Sequence, residues 1–239
     1  MLDIYQATPE ERALMLALTA ETRNGKRKGW WHDYTETALP GWFGLYVTLE
    51  DSAKRISQYE SELIPGLLQT SEYAAELVRI ETAGSASESD VERRVEVRQE
   101  RQELLTRPRA PRLDVVLNEA VIRRPFAGNA VMAAQLAHML EVTQRTNVTV
   151  RIMPYTAGGH AGAGAGSFTI LDFPEDHRTG ELLEPPLAYL DTMTAGMYLQ
   201  KPEEVDTYRR AWDDLRKKVL DTEASKKMII EAMEGYTND

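Results

Sequence analysis

Two prolines, Pro108 and Pro111, split this chain into halves whose apolar residues repeat with different periods. Proline lacks a backbone donor and pushes the residue before it out of the helical region, so a helix reaching this pair stops there. Upstream, apolar residues recur at helical spacing. Downstream, "LDVVLNEAVI", "NVTVRIMPY", "SFTILDF" and "LAYLDT" are short runs rich in β-branched and aromatic residues and bounded by turn formers, as strands are, and "MYLQ" reads as a fifth. In the second run Val148, Val150 and Ile152 alternate with other residues, the pattern of a half-buried strand. The expected fold is therefore α+β: an N-terminal helical portion followed by a mixed, mainly antiparallel sheet packed against helices. Three parts are expected: a connecting helix over 1–28, a helical subdomain over 29–108 and an α+β subdomain over 109–239.

The helical half has clear start signals. Thr8, Pro9, Glu10 and Glu11 suit a cap, a first helical position and the positive end of the helix dipole. A further helix is expected to run to about Tyr59, where "ELIPGLLQ" breaks it. Thr70 then opens a helix with Tyr73, Leu77 and Ile80 on one face, ending at Gly84. Ser89 and Glu92 form a capping-box pattern before "DVERRVEVRQERQELLTR", a mixed-sign helix expected to present a solvated face. In the second half, residues 129–145 carry Met132, Leu136, Met139 and Leu140 on one face. Pro202 opens a helix with Val205, Tyr208, Trp212, Leu215 and Val219 at spacings of three and four, and a last helix covers 222–235.

Composition excludes several functions. There is no cysteine, which removes disulfides, thiolate nucleophiles and cysteine-held metals together. The net charge of −10 argues against binding nucleic acid unaided, because that affinity comes from Lys and Arg neutralising phosphates. No apolar run is long enough to span a membrane, and the first residues lack the pattern of a signal peptide, so a cytoplasmic location is expected.

The segment 155–168, "YTAGGHAGAGAGSF", resembles a phosphate-binding loop only in its glycines. A strand follows it where a helix N-terminus is required, and no lysine stands at the required spacing. It reads as a long strand connection, either plainly mobile or a lid over 156–166, with His160 solvated. The four histidines (His32, His138, His160, His177) show no zinc-hydrolase spacing, and there is no G-x-S-x-G elbow. Asp172 and Asp191 lie near strand ends and would pair only if the sheet joined them. Glu119 close to Arg123 and Arg124 suits either a polar ligand or a structural ion pair. Trp30, Trp31 and Tyr34 form an aromatic group that either docks the N-terminal helices or walls a binding site.

Longer motifs narrow the choice. The stretch "YESELIPGLLQTSEYAAELV", the segment "NEAVIRRP", the strand "NVTV", the run from Gly166 to Leu171 and the "YLD" strand occur in one order. Together they resemble a domain of unknown function in actinobacterial transcription regulators, where it follows an Xre-type helix-turn-helix. "LDIYQATPEERALMLALTAETR" looks like the end of that module and its connecting helix, so most of the helix-turn-helix is expected to be missing from this chain. The resemblance implies an effector- or partner-binding regulatory domain that senses a small molecule or a small partner protein. DNA would be contacted only through the helix-turn-helix module. It implies no catalytic residues, and no cofactor or metal is expected. The candidate ligand or partner residues are Trp30, Trp31, Tyr34, Pro65, Gln69, Tyr73, Glu119, Arg123, His160 and Tyr189. The competing expectations are an enzyme using Glu119 or His160 as general base in a loop-closed pocket, or a plain dimerisation domain pairing through the helix at 202–220. A homodimer is expected.

Overall fold

The computed structural model describes residues 43–237 except 177 and 193. The expectations for the helix at 1–28 and for Trp30, Trp31, His32, Tyr34 and His177 fall outside the described residues. Those residues form eight helices and one open six-stranded sheet of order β3-β2-β1-β4-β5-β6. The strands are β1 (Arg55–Glu60), β2 (Arg112–Asn118), β3 (Val148–Met153), β4 (Phe168–Asp172), β5 (Leu187–Asp191) and β6 (Gly196–Leu199). The helices are α1 (Phe43–Ser52), α2 (Ser71–Glu81), α3 (Glu88–Gln102), α4 (Glu119–Arg123), α5 (Asn129–Val142), α6 (Gly162–Ala165), α7 (Pro202–Lys218) and α8 (Thr222–Thr237).

β1 is the first correction. Residues 55–60 were expected to end a helix, yet they form the strand on which the sheet turns. β1 pairs parallel with β2 on one side and antiparallel with β4 on the other. β2 and β3 are parallel, whereas β4, β5 and β6 run alternately. The segment 29–108 thus supplies the middle strand of a sheet whose other strands come from 109–239. β2 also stops sooner than expected: Asn118 caps the short helix α4 by accepting from the Ala120 N–H.

Each face of the sheet has its own core. On one, Ile56, Leu113, Val115, Leu117, Val150, Ile152, Leu171 and Leu187 pack beneath α1, α5 and α8. On the other, Tyr59, Val116, Met153, Phe168 and Ile170 meet Trp212 and Leu215 of α7. The expected stripe of α7 therefore faces the sheet of its own chain, and helix pairing between two copies would have to use a different face. The stripe of α5 is buried as expected, with Met132, Leu136 and Met139 fully enclosed. On α2 Tyr73 and Leu77 are buried but Ile80 is exposed, since Val78 takes the inner position.

The glycine segment has a geometric reason for its length. It joins β3 to β4, which lies beyond β2 and β1, so it must cross three inter-strand spacings, about 14 Å. It does so as a folded strap: a turn at Tyr155–Ala157, then α6. The Ala161 N–H donates to Asp214 of α7, and Lys218 Nζ donates to the Gly159 carbonyl. Gly162 sits against the buried ring of Tyr59, where an added Cβ would lie 2.5 Å from a ring carbon. Gly164 faces open space.

Gly162→Ala should therefore lower stability by about 1–3 kcal/mol through overpacking, and Gly164→Ala should not lower it. Urea denaturation of the two variants checks this; equal midpoints would mean that the strap does not rest on Tyr59.

Candidate functional site

One face of the sheet is apolar over β2 and β3 and changes character at β1. In register across β1, β4, β5 and β6, Ile56, Leu171 and Leu187 form an apolar row. The next row on the same face is Gln58, Thr169, Tyr189 and Tyr198. One step further, at the carboxyl ends of β1 and β5, stand Glu60 and Asp191, with Ser167 just before β4. Side chains two apart on a strand share a face, so these residues form one polar and aromatic patch. Asp191 is exposed, Glu60, Gln58, Ser167 and Tyr198 are half-buried, and Tyr189 and Thr169 are buried.

The patch lies beside β1, where the chain's parallel and antiparallel pairings meet. In open α/β sheets, ligands settle outside the carboxyl ends of strands at such a reversal. Glu60 is its central ionisable group. Burial pushes its carboxyl up to about 7, against hydrogen bonds from Ser167 and Gln58 that favour the charged form, and Asp191 adds repulsion. Gln58 Nε2 donates to Glu60 Oε1 at 2.8 Å. The Tyr189 phenol is raised well above its usual range by burial and then by Asp191, the carboxylate that its Oη faces. Burial raises the Tyr198 phenol as well.

Beneath the patch, an aromatic line and an ion pair fix its floor. Ring centroids run from Phe43 to Tyr46 at 5.2 Å, Tyr46 to Tyr189 at 4.3 Å and Tyr189 to Tyr198 at 5.0 Å. Arg101 of α3 lies over Phe43 with Cζ 4.9 Å from the ring centroid. It makes a two-pronged bond to the buried Glu50 of α1, Nε to Oε2 at 3.0 Å and Nη2 to Oε1 at 2.9 Å. Planar bidentate geometry of this kind is the strong form of a carboxylate–guanidinium pair. Burial, with Glu50 next, raises the Tyr46 phenol well above its usual range.

Among the described residues, the expected site residues do not converge. Pro65 is buried, Gln69 is buried and donates to the Ile64 carbonyl at 2.7 Å, and the Tyr73 phenol accepts from the Ile64 N–H at 3.2 Å. These three hold the 64–73 turn together; burial pushes the Tyr73 phenol up to about 12, with Glu60 among the nearby charges. Glu119 is engaged on both oxygens, by the Tyr155 N–H at 2.9 Å and by Arg123 at 3.3 Å, which is the structural reading of that group. Arg124 pairs with Glu62 instead. His160 was expected to be solvated; its ring stands edge-on to Tyr59 with buried Nδ1, on the α7 side of the sheet, away from the patch. Asp172 ends β4 at the opposite end of the strands from Asp191 and pairs with Arg209, so the carboxylate facing Asp191 is Glu60. Of the seven candidates among the described residues, Tyr189 alone lies in the patch, and Tyr73 borders Glu60.

The mixed-sign helix α3 is also corrected. It starts at Ser87, whose side chain accepts from the Asp90 N–H, rather than at Ser89. Its inward side runs through Val91, Arg94, Arg98, Arg101 and Leu105 at spacings of three and four, so arginines occupy an apolar stripe. That spacing is the signal that would have found Arg101. Under α7 a cavity of about 10 Å³, lined by Asp114, Thr149, Trp212 and Arg216, has room for a single water.

The fold and patch define an α+β domain with an open mixed sheet and a polar, aromatic crevice at its strand ends. The chain belongs to the family described as a domain of unknown function, DUF5753, whose model matches residues 43–231. No curated protein and no solved structure matches it. Among the described residues, no helix is long and apolar enough to cross a membrane.

Two outcomes follow. Arg101→Ala should cost about 3–5 kcal/mol because it strands a buried carboxylate, whereas replacing both Arg101 and Glu50 by apolar residues should cost much less. Chemical denaturation separates these, and an Arg101→Ala cost under about 1 kcal/mol would contradict the pairing. For Glu60, the folded carboxyl titrates near 7 against an ordinary 4.5, so the fold favours the protonated form. Its contribution to stability is full below the unfolded value and is lost as pH rises through about 7. Thermal melts from pH 5 to 8 should fall for the native chain and flatten for Glu60→Gln; identical slopes would mean that Glu60 is not perturbed.

Proposed function

We propose that this domain is the effector-binding part of a DNA-binding transcription regulator and that its effector is a small molecule held on the Glu60–Asp191–Tyr198 patch. The observation that carries this reading is the abrupt replacement of apolar residues by polar and aromatic ones on one inner sheet face, beside β1 and open to solvent at Asp191. Binding sites are built in this way, from rigid rings with a few convergent polar groups. The regulatory role rests on the order of the sequence motifs, and the net charge of −10 suits a domain that leaves DNA contacts to another module. A ligand there touches β1, β5 and, through Tyr189 and Tyr46, helix α1, which is the route by which occupancy would reach the segment before residue 43.

A second reading, a small partner protein, is favoured by one feature. β6 is an edge strand whose Met197 is exposed, and an edge strand can accept a strand from another chain. The enzymatic alternative has less support, since Glu119 is held in structural bonds and His160 lies on the other face.

Native mass spectrometry of the purified chain tests the proposal. The expected result is a co-purifying small molecule released on denaturation and lost from Asp191→Asn and Tyr198→Ala. A retained ligand in both variants would place the site elsewhere.

A further inference from the structure

We propose that the cavity under α7, on the sheet face opposite the Glu60 patch, is the floor of an anion site whose ligand is a phosphate group, free or carried by a small phosphorylated molecule. Three elements meet there. β2 supplies Asp114 and Val116, the edge strand β3 supplies Thr149 and Arg151 in register with them, and α7 supplies Trp212 and Arg216. Residues two apart on a strand share a face, so Thr149 and Arg151 both lie on the α7 side.

The first observation is unmatched positive charge. Asp114 is already held: Arg55 Nη2 donates to its Oδ2 at 2.6 Å, and Arg112 Nε lies 3.3 Å from the same oxygen. On α7, Asp214 accepts from the Ala161 N–H and pairs with Lys218, while Asp213 is exposed and joins no ion pair among the described residues. Arg151 and Arg216 therefore meet at one cavity with no ion pair and no side-chain hydrogen bond among the described residues. They do so in a chain with 38 acidic residues against 28 basic ones.

The second observation is a surplus of donors. The Thr149 hydroxyl has no hydrogen-bond partner among the described residues, and Arg55, beside Asp114, keeps its Nε buried without one. Buried donors lacking acceptors are costly. A water answers a hydrogen bond but not the charge of two guanidiniums. One guanidinium suffices for the two oxygens of a carboxylate, whereas two from different elements, with a hydroxyl, suit the three terminal oxygens of a phosphate. The enclosed volume of about 10 Å³ admits one of those oxygens, so the rest of the ligand lies at the mouth, where Arg216 is exposed. Bound between β3 and α7, the anion ties the helix to the sheet edge.

NMR titration of the Arg151 and Arg216 Nε–H signals at constant ionic strength tests this with inorganic phosphate, ribose 5-phosphate and acetate. The better phosphate probe is expected to shift both signals and to bind at least about tenfold more tightly than acetate. Ribose 5-phosphate binding at least as tightly as inorganic phosphate would assign the site to a phosphorylated molecule, and the reverse order to the free ion. Arg216→Ala, which removes an exposed and unpaired side chain, and Arg151→Ala should each weaken phosphate about tenfold or more. Lys217→Ala, an exposed charge next to Arg216 that does not line the cavity, should change it by less than about twofold. Asp191→Asn, on the other face, should leave it unchanged, so the site stands even if the effector patch does not. Equal affinity for acetate, no shift of either arginine signal with any probe, or an equal loss in Lys217→Ala and Arg216→Ala would overturn the site.

Discussion

Strand β1 hydrogen-bonds to a parallel neighbour on one side and an antiparallel neighbour on the other, and this two-sided pairing sets the rest of the architecture. The parallel side demands crossovers, which α2, α3 and α5 supply. The antiparallel side demands that the chain return from β3 past two strand ends, and the glycine strap makes that crossing. Because β1 is flanked on both sides, its side chains have no free edge to escape to. Gln58 and Glu60 are therefore held over the sheet face, where most of their neighbours on β2 and β3 are Leu, Val and Ile.

Polar residues in a central strand carry a cost that the surroundings must offset. Here the compensation is local: Gln58 and Ser167 bond Glu60, Thr169 lies beside Tyr46, and the Glu50–Arg101 pair neutralises itself under the rings. The interior pair is fully matched, and the rim beside it is polar and open at Asp191, where the proposed effector would bind. The strap on the opposite face serves the sheet rather than the patch, since Gly162 locks on Tyr59 and His160 follows it.

Much of the fold was legible in the sequence. The strands after Pro111 announce themselves through β-branched alternation, and α5 and α7 through spacings of three and four. Thr70 caps α2 as its side chain predicts. What was hidden is β1, because "RISQYE" places polar residues where a central strand normally carries apolar ones, so it resembles a helix end. The same peculiarity concealed the candidate site: the residues that make the patch are those that make β1 unrecognisable. Arg101 was hidden for a related reason, since arginines on a charged helix read as solvated until Val91 and Leu105 are seen to continue their stripe. The pairing of Glu60 with Asp191 depends on the strand order, which no local pattern encodes. His160 and Glu119 drew notice by type alone, and their neighbours turn out to be structural.

Glu60 sits partly desolvated on an inner sheet face, with Asp191 as the second carboxylate near it. Carbon-13 titration of the glutamate side-chain carboxyls, with Glu60→Gln for assignment, measures this directly. The account predicts one carboxyl with a midpoint near 7, whereas a Glu60 midpoint near the ordinary 4.5 would show the patch to be plain solvated surface.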